Sequence, residues 1–137
     1  HWIAVSQADR RQGLEWQLFS SSKVSVVRPG IDPTAFASRI EPAERDRLRA
    51  SLGVGPEQLL VGTVSCLKPQ KSPEDFIRVA ALVCQRMPAA KCVLVGDGAL
   101  RPQIEAMIQA QGLQDRVTLL GWRRDVASLL KAFDVSS

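Results

Sequence analysis

The sequence has few of the residues that build metal centres and nucleophilic active sites. Its 137 residues include one histidine, His1, and three cysteines, Cys66, Cys84 and Cys92, none of them in a CxxC spacing. A zinc site is therefore not expected, and the odd number of cysteines favours a reduced, cytoplasmic setting. The signatures GxSxG, GxxxxGK[ST] and HExxH are also missing, which removes the commonest sequence evidence for a serine hydrolase, a P-loop protein or a zinc protease.

Long apolar runs and clustered charge are missing as well. No apolar run approaches the ~20 residues of a membrane-spanning helix, and the opening HWIAVSQADRR reaches charged residues too early for a signal peptide. Lys and Arg number 18 against 14 Asp and Glu, and this net charge of +4 is spread along the chain. A nucleic-acid partner, which needs clustered positive charge, is therefore not expected. With 45% apolar residues the chain can build a core, which excludes a disordered protein.

Short apolar runs alternate with helical patterns through the second half of the chain. Continuously apolar runs are typical of parallel strands that are buried on both faces. The alternation predicts an α/β fold, a Rossmann-like parallel sheet with flanking helices. The expected strands cover residues 59–64, 92–95 and 117–120, and the expected helices cover residues 73–87, 100–108 and 126–133.

The first half of the chain has a weaker pattern. Residues 23–27 predict a strand, and residues 43–52 predict a charged helix that Gly53 ends. Residues 2–19 predict a strand and a helix of an earlier layer or of a neighbouring domain. Because both ends of the chain interrupt a pattern, we expect a fragment of a longer protein, with less burial in residues 2–19 than in the helix over 73–87.

A loop and a helix start follow the first strand of the predicted sheet. Ser72 is expected to cap the helix and Pro73 to take its first position, with two acidic residues in the first turn. Lys71 directly precedes them. Free amides and the helix dipole favour an anion at such a terminus, so a diphosphate is the expected ligand. The alternative is that Lys68 and Lys71 are solvated surface lysines.

The other two loops at the carboxyl ends of strands also lie where open α/β sheets bind ligands. Gly96-Asp97-Gly98 resembles the start of a GxGxxG fingerprint, but Arg101 takes the place of the third glycine, so a nicotinamide-dependent enzyme is not expected. A tight turn explains both glycines without a ligand, and Asp97 then caps the following helix. In the same interpretation, which needs no ligand, Trp122 is a partly buried aromatic residue of its loop.

Two further loop positions have a functional and an ordinary interpretation. Arg123 and Arg124 reach the expected ligand edge, or they form a solvated pair. Cys66 lies near a helix N-terminus, an environment that can activate a thiol, but without a partner histidine it is more often a small loop residue.

Several segments, in order, are similar to the motifs of one enzyme family. VVRPGID at 26–32 resembles V-x-x-N-G-I-D, VGTVSCLKPQKS at 61–72 resembles V-G-x-V-G-R-L-x-x-x-K-G, LVGDGALR at 94–101 resembles L-V-G-D-G-P-L-R, DRVTLLGWR at 115–123 resembles D-R-V-x-F-L-G-W-R, and AFDV at 132–135 resembles A-x-D-V. In this order the segments resemble the retaining glycosyltransferases of family 4, the GT-B "group 1" transferases. The similarity covers residues 2–137 and rests on the succession of motifs rather than on any one of them.

The resemblance implies two Rossmann-like domains that face a cleft. Residues 1–28 would be the end of the N-terminal acceptor domain with its linker, and residues 29–137 the first half of the C-terminal domain that binds the nucleotide-sugar. The implied activity is retaining transfer of a sugar from a nucleotide diphosphate donor to a glycan or lipid-linked acceptor, without a cofactor or a metal ion. A cytoplasmic location is implied, with peripheral association at the inner membrane face as an open alternative.

The resemblance also implies roles for individual residues. Lys71 would pair with the donor diphosphate, and the loop after the third strand would approach the nucleobase through its backbone. The implied donor-binding residues are Cys66, Lys68, Lys71, Gly96, Asp97, Gly98, Gly121, Trp122 and Arg123.

The sequence departs from the family pattern at three positions. Cys66 stands where the family has an arginine, and Ser65 and Ser72 stand where it has glycines. The family's E-x7-E motif is expected beyond Val135, and no two glutamates of this sequence have that spacing, so the catalytic residues are not identified and the fragment alone is expected to be inactive. The alternative function is a non-catalytic nucleotide-binding or protein-interaction module on the same fold.

Overall fold

A parallel sheet lies at the centre of the larger part of the chain in the computed structural model. The structure describes the backbone of residues 1–137 and every side chain except that of Ala35. Internal contacts divide the chain into two units, His1–Ala35 and Phe36–Ser137. The predicted domain assignment, with its boundary after residue 28, stays a prediction.

The first unit contains two short parallel strands joined through a helix. Ser6 caps this helix, because its side chain accepts a hydrogen bond from the backbone N–H of Asp9 at 3.0 Å. The strand and helix predicted within residues 2–19, and the weaker strand predicted over 23–27, are confirmed. The elements are β1 (Trp2–Ala4), α1 (Gln7–Glu15), a 3₁₀ turn (Ser21–Lys23) and β2 (Val24–Val26), with Ile3 paired to Ser25.

The second unit is built on four parallel strands in the order β5-β4-β3-β6. Their parallel pairing in one sheet confirms the prediction for the three strands after residue 59. The fourth strand pairs with the other side of β3, so that Val61 has Cys92 as one partner and Val135 as the other. The bounds are β3 (Leu60–Val64), β4 (Lys91–Val95), β5 (Val117–Gly121) and β6 (Val135–Ser136).

The predicted helices are also present, with ends shifted by one or two residues. Gly53 and Gly112 follow their helices with φ of +70° and +64°, the left-handed conformation that ends a helix at little cost for glycine. Bilayer-spanning helices are not found among the described residues. The predicted helices are α3 (Pro42–Ser51), α4 (Pro73–Arg86), α5 (Arg101–Ala110) and α6 (Val126–Ala132), and a further short helix, α2 (Pro33–Ala37), was not predicted.

The central strand β4 is buried on both faces, as its continuously apolar sequence predicts. Cys92 and Val93 are neighbours on β4 and, because successive side chains of a strand point to opposite faces, they join different clusters. One cluster lies under α4 and α5 and contains Ile77, Ala80, Cys92, Ile104, Ile108, Leu113 and Val117. The other contains Val54, Leu60, Val93, Val95, Leu129 and Phe133.

Burial differs between the first helix of the chain and the helix after β3. Helix α1 buries Gly13, whereas α4 buries Pro73, Ile77 and Ala80. This difference agrees with the expectation that residues 2–19 pack less completely than the helix predicted over 73–87.

The start of α4 differs from the prediction in one respect. Pro73 takes the first helical position as expected, but Ser72 makes no side-chain cap. Its backbone is left-handed, with φ of +43° and ψ of +53°, whereas a capping serine needs an extended backbone to reach the amides of the first turn. The predicted serine cap is therefore wrong, because the 3₁₀ turn at Pro69–Lys71 delivers the chain into the helix at a different angle.

Candidate functional site

Three loops meet at the carboxyl edge of the sheet, after β3, β4 and β5. The backbone N–H of Leu67 donates to the carbonyl of Asp97 at 2.9 Å, which joins the first loop to the second. The backbone N–H of Gly96 donates to the carbonyl of Gly121 at 2.8 Å, which joins the second loop to the third. The three predicted loops therefore form one continuous surface, at the edge where open α/β sheets bind ligands.

Two glycines allow the first and second loops to approach each other so closely. A Cβ atom at Gly96 would overlap the carbonyl oxygen of Ser65, and one at Gly98 would overlap that of Leu67. Gly96 also has φ of +134°, which side chains rarely permit. The structure thus gives both glycines a packing role, in agreement with the tight-turn interpretation.

Asp97 does not cap helix α5, so this prediction is wrong. The capping residue is Leu100, and it makes no side-chain cap. The Asp97 carboxylate is occupied instead: Oδ1 accepts the backbone N–H of Gly98 at 2.8 Å, and Oδ2 accepts Nη1 of Arg101 at 3.3 Å. Arg101 in turn donates through Nε to Glu105 at 2.8 Å.

The first loop places two exposed lysines beside the start of α4. The backbone N–H of Lys71 donates to the carbonyl of Lys68 at 2.9 Å, which closes the 3₁₀ turn. Lys71 lines a cavity, whereas Lys68 does not. Cys66 is a free, partly buried thiol on the same loop. The structure therefore brings one of the two predicted lysines, Lys71, to a concave surface.

The two acidic residues of the first turn of α4 each have a side-chain partner on a helix. Asp75 accepts Nη1 of Arg78 at 2.5 Å, and Glu74 accepts the side-chain amide of Gln103 at 3.2 Å. The guanidinium of Arg78 partly compensates the charge of Asp75, whereas the neutral amide of Gln103 leaves the charge of Glu74 in place. Asp75 also lines the same cavity as Lys71, so the first turn keeps a negative charge that opposes an anion there.

The larger of two neighbouring cavities has a volume of about 630 Å³. It runs along β3, β6 and α4, and its polar side chains gather at the end near the first loop. Thr63, one of these, is buried and donates from Oγ1 to the carbonyl of Ser137 at 2.9 Å. The polar lining consists of Thr63, Ser65, Lys71, Ser72, Asp75 and Ser137, and the apolar lining includes Leu59, Val61, Phe76, Val79, Leu94 and Val135.

The smaller cavity, of about 230 Å³, lies between the first and third loops. Ser65 lines both cavities, so it marks the place where they adjoin. Trp122 stands at this cavity with 79% of its surface exposed, which corrects the expectation of a partly buried aromatic. The lining residues are Val64, Ser65, Cys66, Val95, Gly96, Trp122, Arg123 and Val126.

Arg123 is paired within its own loop rather than solvated together with Arg124. Its Nε and Nη2 donate to the two carboxylate oxygens of Asp125 at 2.8 and 2.6 Å. These hydrogen bonds lower the pKa of Asp125 and raise that of Arg123. A two-pronged bond of this kind fixes the side chain and the short turn between the two residues.

The arrangement suits a phosphorylated ligand. Lys71 and the N-terminus of α4 supply positive charge and backbone donors at one cavity, and an exposed indole lies at the other. Among the described side chains, no group of three or more His, Cys, Asp or Glu is placed to hold a metal ion.

Two features of the site escaped the sequence reasoning. The Asp97–Arg101 pair has the i,i+4 spacing of helical ion pairs, and this spacing could have revealed it. The position of Ser65 between the cavities depends on how two loops fold together, so no local signal predicts it.

Comparison with known families relates this fold and site to one group of proteins. Residues 44–136 match the family model described as glycosyl transferases group 1. The chain is 34% identical to the Escherichia coli UDP-Gal:alpha-D-GlcNAc-diphosphoundecaprenol alpha-1,3-galactosyltransferase over 97% of its length, which covers 35% of that protein. It is 37% identical to the D-inositol 3-phosphate glycosyltransferase of Rhodococcus opacus over 72% of its length, which covers 23% of that protein.

Solved structures agree with these sequence relationships. Anabaena HepE in complex with UDP-glucose superposes with a TM-score of 0.77 at 29% identity, covering 98% of this chain and 36% of HepE. WaaG, a glycosyltransferase involved in lipopolysaccharide biosynthesis, has the same fold, with a TM-score of 0.79 at 21% identity, 98% coverage of this chain and 36% of its own. The chain thus spans about a third of the length of these proteins.

Proposed function

This chain belongs to the group 1 glycosyl transferases, and we propose that the protein transfers a sugar, with retention, from a nucleotide diphosphate sugar to a glycan or lipid-linked acceptor. The observation that carries the proposal is the pair of adjoining cavities at the carboxyl edge of the sheet, with Lys71 in one and Trp122 in the other. In this proposal residues 29–137 are the first half of the donor domain, and residues 1–28 end the acceptor domain.

The donor would lie across the three loops. Its nucleobase takes the smaller cavity beside Gly121, Trp122 and Arg123, and its diphosphate crosses the first loop near Ser65 toward Lys71. The sugar then faces the larger cavity. Ser65 supports this placement, because it lines both cavities and so offers a continuous path between them.

The chemical task of this half-site is to stabilise the leaving diphosphate. Charge builds up on the β-phosphate as the glycosidic bond to the donor breaks, and Lys71 with the amides at the start of α4 would meet that charge. Gly96, Asp97 and Gly98 supply the backbone floor beneath it. The proposed reaction needs no resident metal ion and no cofactor besides the donor, in line with the resemblance to GT-B enzymes.

Cys66 gives this part of the proposed donor site one positive charge fewer than the family pattern has. A thiol replaces the family arginine, so the proposed diphosphate contact keeps one cation at Lys71 and has Lys68 as the only nearby substitute on the loop. This substitution favours one second candidate function, a nucleotide-binding or protein-interaction module without catalysis.

The acceptor class is proposed from the relatives. The E. coli relative is described as acting on a diphosphoundecaprenol acceptor, and the R. opacus relative as a D-inositol 3-phosphate glycosyltransferase. A lipid-linked acceptor would bring a cytoplasmic enzyme to the inner membrane face as a peripheral protein.

A thermal-shift panel with UDP, GDP and ADP tests the proposed donor site. A selective nucleotide at about 100 times its Kd adds about 2.7 kcal/mol of stability, so the matching nucleoside diphosphate should raise the melting temperature above the other two. Turnover of the matching nucleotide-sugar by the full-length protein then separates the enzyme from the module. Null shifts with all three nucleotides would contradict a nucleotide site and leave the protein-interaction module as the remaining function.

A further inference from the structure

The ion pair between Asp97 and Arg101 lies beside the turn that starts the third loop, on the side of Gly121 that a side chain would occupy. A Cβ atom placed on Gly121 would stand 3.5 Å from Nη1 of Arg101 and 3.6 Å from Oδ2 of Asp97. These would be ordinary contact distances, so the pair lies close to the turn and limits the space on that side of Gly121.

The pair is itself held from both sides. The second oxygen of the Asp97 carboxylate accepts the backbone N–H of Gly98 at 2.8 Å, and the Nε of Arg101 donates to Glu105 at 2.8 Å. Asp97 and Arg101 are each about one-third exposed, so the pair lies at the surface of the junction rather than in the core. Its orientation is thus fixed by the second loop and by helix α5.

Gly121 is the point at which the third loop changes direction. Its φ of +66° is left-handed, and its carbonyl accepts the backbone N–H of Gly96 at 2.8 Å. The turn is therefore held on one side by a backbone hydrogen bond and faces the ion pair on the other. Trp122, which lines the smaller cavity, is the next residue.

We infer that Asp97 and Arg101 are positioning residues for the third loop: through Gly121 they hold Trp122 and Arg123 at the smaller cavity and so set how tightly the base end of a nucleotide is bound. The ligand part of this inference rests on the proposed function. In this inference the two side chains act on the third loop, whereas the backbone of Asp97 belongs to the proposed floor beneath the diphosphate.

Two variants and one control isolate the effect. Arg101→Met keeps the aliphatic stem but removes the guanidinium. Asp97→Asn keeps an oxygen for the Gly98 amide and presents an amide nitrogen to Arg101. Glu105→Gln is the control, because Glu105 also accepts a hydrogen bond from Arg101 but is not among the atoms within 4 Å of a Cβ placed on Gly121.

The first measurement needs no ligand. In a background with Trp2→Phe and Trp16→Phe, Trp122 is the sole tryptophan, and its time-resolved fluorescence anisotropy reports motion of the loop. Both variants should increase the amplitude of the fast decay by about twofold, and Glu105→Gln should leave it unchanged. An unchanged decay in Arg101→Met and Asp97→Asn overturns the inference. If Arg101→Met unfolds, Asp97→Asn alone decides the outcome.

The second measurement compares UDP with inorganic pyrophosphate by calorimetry. In Arg101→Met, loss of loop positioning should weaken UDP about tenfold and leave pyrophosphate unchanged, because pyrophosphate has no base. Parallel weakening of both ligands would indicate general damage and overturn the inference. If the unsubstituted protein binds no nucleoside diphosphate, the proposed function fails, and the Trp122 anisotropy still decides the positioning role.

Discussion

Asp134 and Arg49 form an ion pair, 2.9 Å from Oδ2 to Nη1, that ties the start of strand β6 to helix α3. Arg49 is 4% exposed, and it also donates to the carbonyl of Ala132 at 3.1 Å. The same oxygen of Asp134 accepts the backbone N–H of Leu60 at 2.7 Å, and its other oxygen accepts Arg45 at 2.6 Å. One carboxylate thus joins α3, β3 and the residue before β6.

Asp134→Asn should destabilise the protein. The amide cannot compensate a buried guanidinium, and leaving one partner of such a pair uncompensated costs about 2 kcal/mol or more at this partly exposed position. Urea unfolding measures the loss. Arg78→Gln is the matched control, because its ion pair with Asp75 is about two-thirds exposed and should contribute less than ~0.5 kcal/mol. Equal losses in the two variants would contradict a central role for Asp134.

The contribution of Asp134 should depend on pH. Partial burial acts to raise the pKa of this carboxyl, but the hydrogen bonds from Leu60, Arg49 and Arg45 outweigh it and hold the pKa below its ordinary value of 3.8. A depressed folded-state pKa stabilises the fold above the unfolded pKa, and this stability is lost as the pH falls through the folded pKa. The stability gap between the natural protein and Asp134→Asn should be constant above about pH 5 and shrink below it. A gap that widens in acid would contradict this assignment.

Lys71→Ala should weaken nucleoside diphosphate binding at least about tenfold, or about 1.4 kcal/mol. The reason is that Lys71 lines the larger cavity at the start of α4, where its charge adds to that of the helix terminus. Lys68→Ala is the comparison variant and should have a smaller effect, unless Lys68 substitutes for the arginine that Cys66 replaces. Calorimetry with the nucleoside diphosphate measures both. Unchanged affinity in Lys71→Ala would remove this loop from the donor site.

The alkylation rates of the individual cysteines should show whether the donor binds at the smaller cavity. Cys66 lines the smaller cavity, so a bound nucleoside diphosphate should slow its reaction with iodoacetamide. Cys84 lies in a different cavity, bordered by Gln85 and Arg116, and serves as the internal control. Peptide mass spectrometry should show protection of Cys66 alone, and equal protection of both would argue against the proposed site.

Cys92 should stay unmodified under the same conditions. Burial raises the pKa of its thiol to about 12, with contributions from the neighbouring Cys84, so almost none is thiolate at neutral pH. It is also 1% exposed. Appearance of alkylated Cys92 before global unfolding would show that β4 opens locally.

The fold could be predicted because its strands and helices depend on local patterns. The run at 92–95 is apolar throughout because Cys92 and Val93 pack into clusters on opposite faces of the sheet. Pro73 marks a helix start whatever the conformation of the residues before it. The same locality explains the errors. Ser72 fails to cap because the preceding 3₁₀ turn sets its backbone, and Asp97 fails because Gly98 and Arg101 occupy its carboxylate.

The candidate site was predictable in its parts but not in its assembly. The three loops follow from the strand ends, and Lys71 follows from its place before a helix. The exposure of Trp122 and the pairing of Arg123 with Asp125 depend on the direction that the chain takes after Gly121. The direction in which the chain leaves the left-handed turn at Gly121 is not indicated by any pattern of side chains in the sequence.

The close approach of Gly96 and Gly98 to the loop after β3 has a consequence for how such a site can diversify. Because the backbones of the two loops touch, the second loop cannot gain a side chain at either glycine unless the first loop is rebuilt. Positions whose side chains project into the cavities, such as Cys66 and Trp122, are free of that constraint. Changes of ligand preference are therefore expected to accumulate at the projecting positions, while the paired loops are inherited together as an unchanging frame.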